Sequence, residues 1–214
     1  MVLFHLLVSL MPRNNSRRSS SRGYTDRKVE TRELRQIFLI ICEGEKTEPN
    51  YFMSFRVSTT VKKIDVRGFG YNPSKLVQEA KELKAQGDYD QIWCVFDRDD
   101  EPKQDFNNAI ANAEREGFQV AYSNEAFELW YVLHFEFLNT GLPRKDYIDK
   151  LEKLLGYKYK KNSATIYEEI ENRQSTAIKH AKSLLKQYNH PNPVNDNPST
   201  TVHLLIEELN KFIR

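Results

Sequence analysis

Apolar residues come in short unbroken runs, and each run is followed by a stretch in which they recur every three or four positions. Ile37 to Cys42, within "RQIFLIICEGEKTEPNYFMSFR", is continuously apolar, the pattern of a strand covered on both faces of a parallel sheet. Behind it, Thr47 is placed to cap a helix whose first turn holds Glu48 and Pro49 and whose inner face carries Tyr51, Phe52 and Phe55. The pattern repeats in "KKIDVRGFG" followed by "NPSKLVQEAKELKAQ", a helix opened by Asn72, Pro73 and Ser74. It repeats again in "QIWCVFDRDD" with "DFNNAIANAEREG", and in "FQVAYSN" with "AFELWYVLHFEF". These successive strand-then-helix units predict an α/β domain over residues 35–136. It has a parallel sheet of about four strands, right-handed crossovers, and a site at the carboxyl ends of the strands.

Past residue 137 the periodicity is helical only, which predicts a helical extension, 137–214, packing on the α/β domain. "RKDYIDKLEKLLGYKYKKN" reads as a lysine-rich helix, and a long helix is expected from Thr165 to Tyr188. "NHPNPVNDNPS" breaks it, and Ser199 or Thr200 then caps a last helix with Val202, Leu205, Leu209 and Phe212 on one side. At the other end, residues 1–34 read as a disordered basic tail, because the tract "MPRNNSRRSSSRGYTDRK" lacks the apolar surface to order itself. "MVLFHLLVSL" is shorter than the roughly 20 residues a bilayer span takes and lacks the basic region and cleavage site of a secretory signal. Met11 offers a second plausible start.

With 214 residues, 39% of them hydrophobic, the chain has material for one sizeable core and a smaller appended part. A formal net charge of +2 does not by itself announce nucleic acid, although the many lysines leave room for a local basic face. Cys42 and Cys94 both sit inside apolar runs, the placement of reduced core thiols in a cytoplasmic protein.

The strand at Ile92–Phe96 stops abruptly on Asp97, Asp99, Asp100 and Glu101, and the first strand stops on Glu43 and Glu45. In a parallel sheet both groups leave the carboxyl edge, and alternation puts Asp97 and Asp99 on one side with Arg98 between them on the other. Carboxylates gathered in this way raise one another's pKa or share a cation, and an all-oxygen set suits Mg²⁺ or Mn²⁺. The alternative is a solvated loop paired with Arg98 and Lys46. Gly44 lets the loop approach a phosphate closely, or serves a plain strand-to-helix turn; Lys46 is a candidate phosphate contact. Glu125 and Glu128 follow the fourth strand and are further candidates, unless they serve as helix cap and surface pair. Lys158, Lys160 and Lys161, interleaved with Tyr159, read either as a nucleic-acid groove or as a solvated helix end. His134 reads as packing, with a proton shuttle as the alternative.

"FLIICEGEKTEPNYF", "WCVFDRDD" and "NEAFELWYVLHF" resemble the signature stretches of the RloB family (RloB-like, abortive-infection L type proteins) of bacterial defence genes. A glutamate after strand one and D-x-D after strand three are also similar to the topoisomerase–primase (Toprim) fold. The resemblance spans roughly residues 35 to 136, with weaker support near "PSTTVHLLIEEL". It implies a Toprim-like fold with Glu43 as acid/base and shared ligand, and with Asp97 and Asp99 as ligands of Mg²⁺. Glu45, Asp100, Glu125 and Glu128 would be additional site residues. It further implies a metal-dependent phosphodiester nuclease acting on DNA or RNA in antiphage defence, with a partner ATPase of the RloA type. The chain has no G-x-x-x-x-G-K-[ST] loop of its own. The alternative is a non-catalytic Toprim-like subunit that binds nucleic acid or a partner. A D-x-D phosphatase ranks last, because such enzymes place the motif after their first strand.

Overall fold

The computed structural model describes residues 36–56, 62–98 and 103–212. The expected basic tail over 1–34 lies outside these residues, and so do Asp99, Asp100 and Glu101.

The first two apolar runs form β1 (Gln36–Cys42) and β2 (Lys62–Gly68), and the next two form β3 (Gln91–Asp97) and β4 (Gln119–Asn124). The intervening amphipathic stretches form α1 (Thr47–Met53), α2 (Pro73–Lys84) and α3 (Lys103–Arg115). Strand order is β2-β1-β3-β4-β5, with the first four parallel and β5 (Ser199–Thr200) antiparallel against β4. The architecture is α/β with a five-strand, mostly parallel sheet flanked by helices, of the Rossmann-like kind to which Toprim domains belong.

Period-two alternation divides the core in two. Phe38, Ile40, Trp93 and Val95 point to the face carrying α1 and the carboxyl-terminal helices. Leu39, Ile41, Ile92, Cys94 and Phe96 point to α2 and α3. Neither central strand has a wet face, which is why both read as unbroken apolar runs. Helix α2 buries Leu76, Val77, Ala80 and Leu83 at helical spacing, and Asn72 caps it by accepting from the Lys75 N–H at 2.9 Å. Cys42 and Cys94 are buried and free, and burial pushes both thiols up, Cys94 to about 12.

Several expectations need correction. Lys46 occupies the cap position of α1 and Thr47 lies inside the helix, its hydroxyl donating to the Lys161 carbonyl at 3.2 Å. The helix after β4 is only α4 (Glu128–Val132), wholly buried and followed by turns. Beyond it come α5 (Arg144–Leu155) and α6 (Ile166–Ile170), then α7 (Gln174–Leu185) and α8 (Val202–Asn210). The expected long helix is thus broken by a 3₁₀ turn at Glu171–Arg173. The region past 137 is not helical only, because Ser199 and Thr200 supply β5. Thr201, rather than Ser199 or Thr200, sits at the cap of α8. These later elements share the core of the sheet: Tyr51 packs edge-on against Tyr167, and Phe38 against Phe212. Among the described residues no helix is long and apolar enough to cross a membrane.

Candidate functional site

Strands β1 and β3 are direct neighbours, so the loops leaving their carboxyl ends meet. The Glu43 N–H extends the ladder by donating to the Val95 carbonyl at 2.8 Å. Its carboxylate then reaches across to β3, where Oε2 accepts from the Asp97 N–H at 3.0 Å. Asp97 shares the side of Trp93 and Val95, the side of α1 and α4, and is only 3% exposed. There its Oδ2 accepts from the Phe127 N–H at 3.0 Å and from the Arg144 guanidinium at 3.3 Å. Its Oδ1 is buried with no hydrogen-bond partner among the described residues.

Two further carboxylates stand beside it. Glu48, in the first turn of α1, is 4% exposed, and Glu128, at the start of α4, is 1% exposed. Both Glu128 oxygens are buried without hydrogen-bond partners among the described residues. Gly44 permits this crowding, because a Cβ there would lie 2.1 Å from Glu48 Oε2. Burial raises Glu48 from its ordinary 4.5 to about 7; its own backbone N–H and the cations Arg144 and Lys161 oppose the rise, while Glu128 adds to it. Asp97 is raised well above its ordinary value, first by burial and then by the charge of Glu48, with Arg144 pulling the other way.

Glu48 and Glu128 line a cleft of about 310 Å³ together with residues 44–47, Phe127, Arg144 and Lys161. Its lining thus combines acids (Glu45, Glu48, Glu128) with cations (Lys46, Arg144, Lys161). The arrangement can hold a cation against the carboxylates and an anion against Lys46, Arg144 and Lys161.

Of the expected site residues, Glu43 and Asp97 are in direct contact, and Glu45, Lys46, Glu128 and Lys161 line the cleft. Glu125 points elsewhere, accepting from Asn197 Nδ2 at 3.5 Å near β5. Lys158 and Lys160 are exposed and outside the cleft lining. Asp99 and Asp100 lie outside the described residues. His134 is core: its Nδ1 lies 2.8 Å from the Trp130 carbonyl, and burial lowers its pKa to about 4.

Two residues of the cleft leave little trace in the sequence. Glu48 reads as an ordinary first-turn acid, although a glycine four positions earlier signals a close approach. Arg144 opens a lysine-rich helix, and nothing in its sequence surroundings separates it from a solvated cation.

Mg²⁺ fits the donor chemistry, since the carboxylates are all-oxygen and the orphaned Asp97 and Glu128 oxygens lack any other partner among the described residues. The described residues alone do not group three His, Cys, Asp or Glu side chains as a metal site.

A family model described as RloB-like protein matches residues 38–209 of the chain. No curated protein and no solved structure matches it.

Proposed function

From the premise that the chain belongs to the RloB-like protein family, we propose that it is a metal-dependent phosphodiester nuclease. The setting we propose is bacterial antiphage defence of the abortive-infection type, in the cytoplasm, with an RloA-type ATPase as partner. The observation that carries the reading is the hydrogen bond joining Glu43 to the Asp97 backbone at 3.0 Å, which holds the Glu43 carboxylate at the carboxyl end of β3, beside Asp97.

Asp97, Glu43 and Asp99 are the residues that would hold Mg²⁺, with Glu128 as an additional donor. Bound there, the ion would neutralise charge on the phosphoryl oxygens and make water a better nucleophile. The chain's own groups do the rest. Lys46, Arg144 and Lys161 bind the anionic phosphate and orient it over the acids. Glu43, hydrogen-bonded to the Asp97 N–H, serves as acid/base. Glu48, held near neutrality by burial, can keep or release a proton at ordinary pH.

A second reading, a non-catalytic subunit that binds nucleic acid or a partner, has one observation in its favour. Asp97 Oδ2 is already engaged by Phe127 and Arg144, contacts that hold the carboxylate without a metal. One assay separates the two. Purified protein, alone and with its ATPase partner, is incubated with DNA, transfer RNA and phosphomonoesters, with and without Mg²⁺, beside Asp97→Ala and Glu43→Gln. Cleavage by wild type that needs the metal and is lost in both variants is expected. Its absence even with the partner present would overturn the nuclease reading in favour of the second.

A further inference from the structure

The turn after β2 carries a second feature that the acids and cations of the cleft do not use. It reads "GFGYNPSK", and its backbone is fastened to the acidic loop: the Phe69 N–H donates to the Cys42 carbonyl at 3.2 Å and the Gly70 N–H to the Glu43 carbonyl at 2.7 Å. Gly68 makes the approach possible, since a Cβ there would lie 2.5 Å from the Gly44 carbonyl oxygen. The turn that carries two aromatic side chains is thereby held against the acidic loop. The rings of Phe69 and Tyr71 stack, with centroids 5.2 Å apart and planes 24° from parallel, and both are only half-buried. The Lys75 ammonium lies 3.7 Å from the Tyr71 ring centre.

Most other aromatic contacts in the molecule are edge-on or tilted inside the core. This pair instead lies parallel, partly open to water, with a flexible cation at its face. A π-face paired with a cation, on a turn packed against the cleft-lining residues Gly44 and Glu45, is what an unpaired base and its phosphate require. A base pair within a duplex hides both of its faces in the stack, so the ring pair selects for a strand that is open at this point.

We propose that Phe69 and Tyr71 form a stacking platform for an unpaired base of a single-stranded nucleic acid segment, with Lys75 moving to that nucleotide's phosphate. The proposal rests on the nuclease reading for the adjoining phosphate site. It gives that site a substrate class, a single-stranded stretch or loop with one base seated on the turn after β2.

The test is binding by fluorescence anisotropy of a labelled single-stranded oligonucleotide, in EDTA, so that catalysis plays no part. Tyr71→Ala is expected to weaken binding by about 5- to 150-fold, the range of one lost base–aromatic stack, whereas Tyr71→Phe, which keeps the ring, should bind within about twofold of wild type. Removing one base from the strand at the seated position should lower wild-type affinity to the Tyr71→Ala level and leave Tyr71→Ala unaffected. Thermal melts of both variants establish that they are folded. The proposal is overturned if Tyr71→Phe loses as much as Tyr71→Ala, if an abasic strand binds wild type as well as the intact one, or if a duplex of the same sequence shows the same sensitivity to Tyr71. Intact, Tyr71-dependent binding without any metal-dependent cleavage would overturn the nuclease reading alone.

Discussion

At the scale of single residues, the cleft is a place where like charges are gathered with too little solvent to separate them. Glu48 shows the consequence for stability. Its carboxyl binds a proton more tightly in the fold, at about 7, than in the open chain, at 4.5. The folded state therefore holds more protons between those values, and stability falls as pH rises from 4.5 towards 7, then levels off above. A shift of this size corresponds to roughly 3 kcal/mol. Glu48→Gln removes the titrating group, so the variant should lose that slope and be more stable than wild type at pH 8 by roughly 2–3 kcal/mol. Urea unfolding of both proteins in EDTA at pH 4.5 and pH 8 checks it, and a variant with unchanged pH dependence would show that Glu48 is ionised at little cost. Glu43 and Asp97 were legible because each ends an apolar strand. Glu48 and Arg144 were not, because their importance comes from tertiary neighbours: Gly44 beside one, Asp97 beside the other.

At the scale of elements, the parallel strands announce themselves because strands buried on both faces leave unbroken apolar runs, and α2 does so through its cap and its spacing. Strand β5 leaves no such trace. It is two residues long, polar, and embedded in an Asn- and Pro-rich tract. It holds because side chains add to its short backbone pairing. Thr200 Oγ1 donates to the Tyr122 carbonyl at 2.9 Å and accepts from the Val202 N–H at 3.2 Å. Thr201 Oγ1 accepts from the Tyr122 N–H at 2.9 Å and donates to the Val120 carbonyl at 3.2 Å. The same hydroxyls thus close the sheet edge and start α8. Thr200→Val keeps the buried volume but takes the hydroxyl partner from the Val202 N–H and from Ser123 Oγ at 3.2 Å, while the Tyr122 carbonyl keeps the Thr201 N–H. A loss of about 1–3 kcal/mol is expected. It would be read as a lower denaturant midpoint with unchanged slope. A valine variant as stable as wild type would mean that water or rearrangement satisfies these groups.

At the scale of the whole molecule, the described residues fall within a single compact unit, 33–214. One of the two cores draws on both ends of that unit. Phe38, Ile40, Trp93 and Val95 of the sheet share a cluster with Leu205, Ile206 and Leu209 of α8, and with Tyr51 and Phe52 of α1, Phe55 just beyond it, Tyr167 and Ile170. Arg144, in the wall of the cleft, comes from the same later region as these helices. A chain ending at residue 136 would keep β1 to β4, the α2–α3 side, α1 and α4, but would strip α5 to α8 from the other face of the sheet. Each fully buried Leu, Ile or Phe side chain lost from that face forfeits about 1.5–3 kcal/mol, and several such losses exceed the 5–15 kcal/mol that holds a typical domain together. The truncated chain is therefore expected to show no cooperative thermal transition by circular dichroism and to be digested rapidly by trypsin, where the full chain melts sharply. A sharp transition in the fragment would show instead that the sheet and its α2–α3 side fold by themselves. In that case the later helices would complete the cleft without being needed for the fold, and Arg144 could be supplied or withdrawn as they dock and undock.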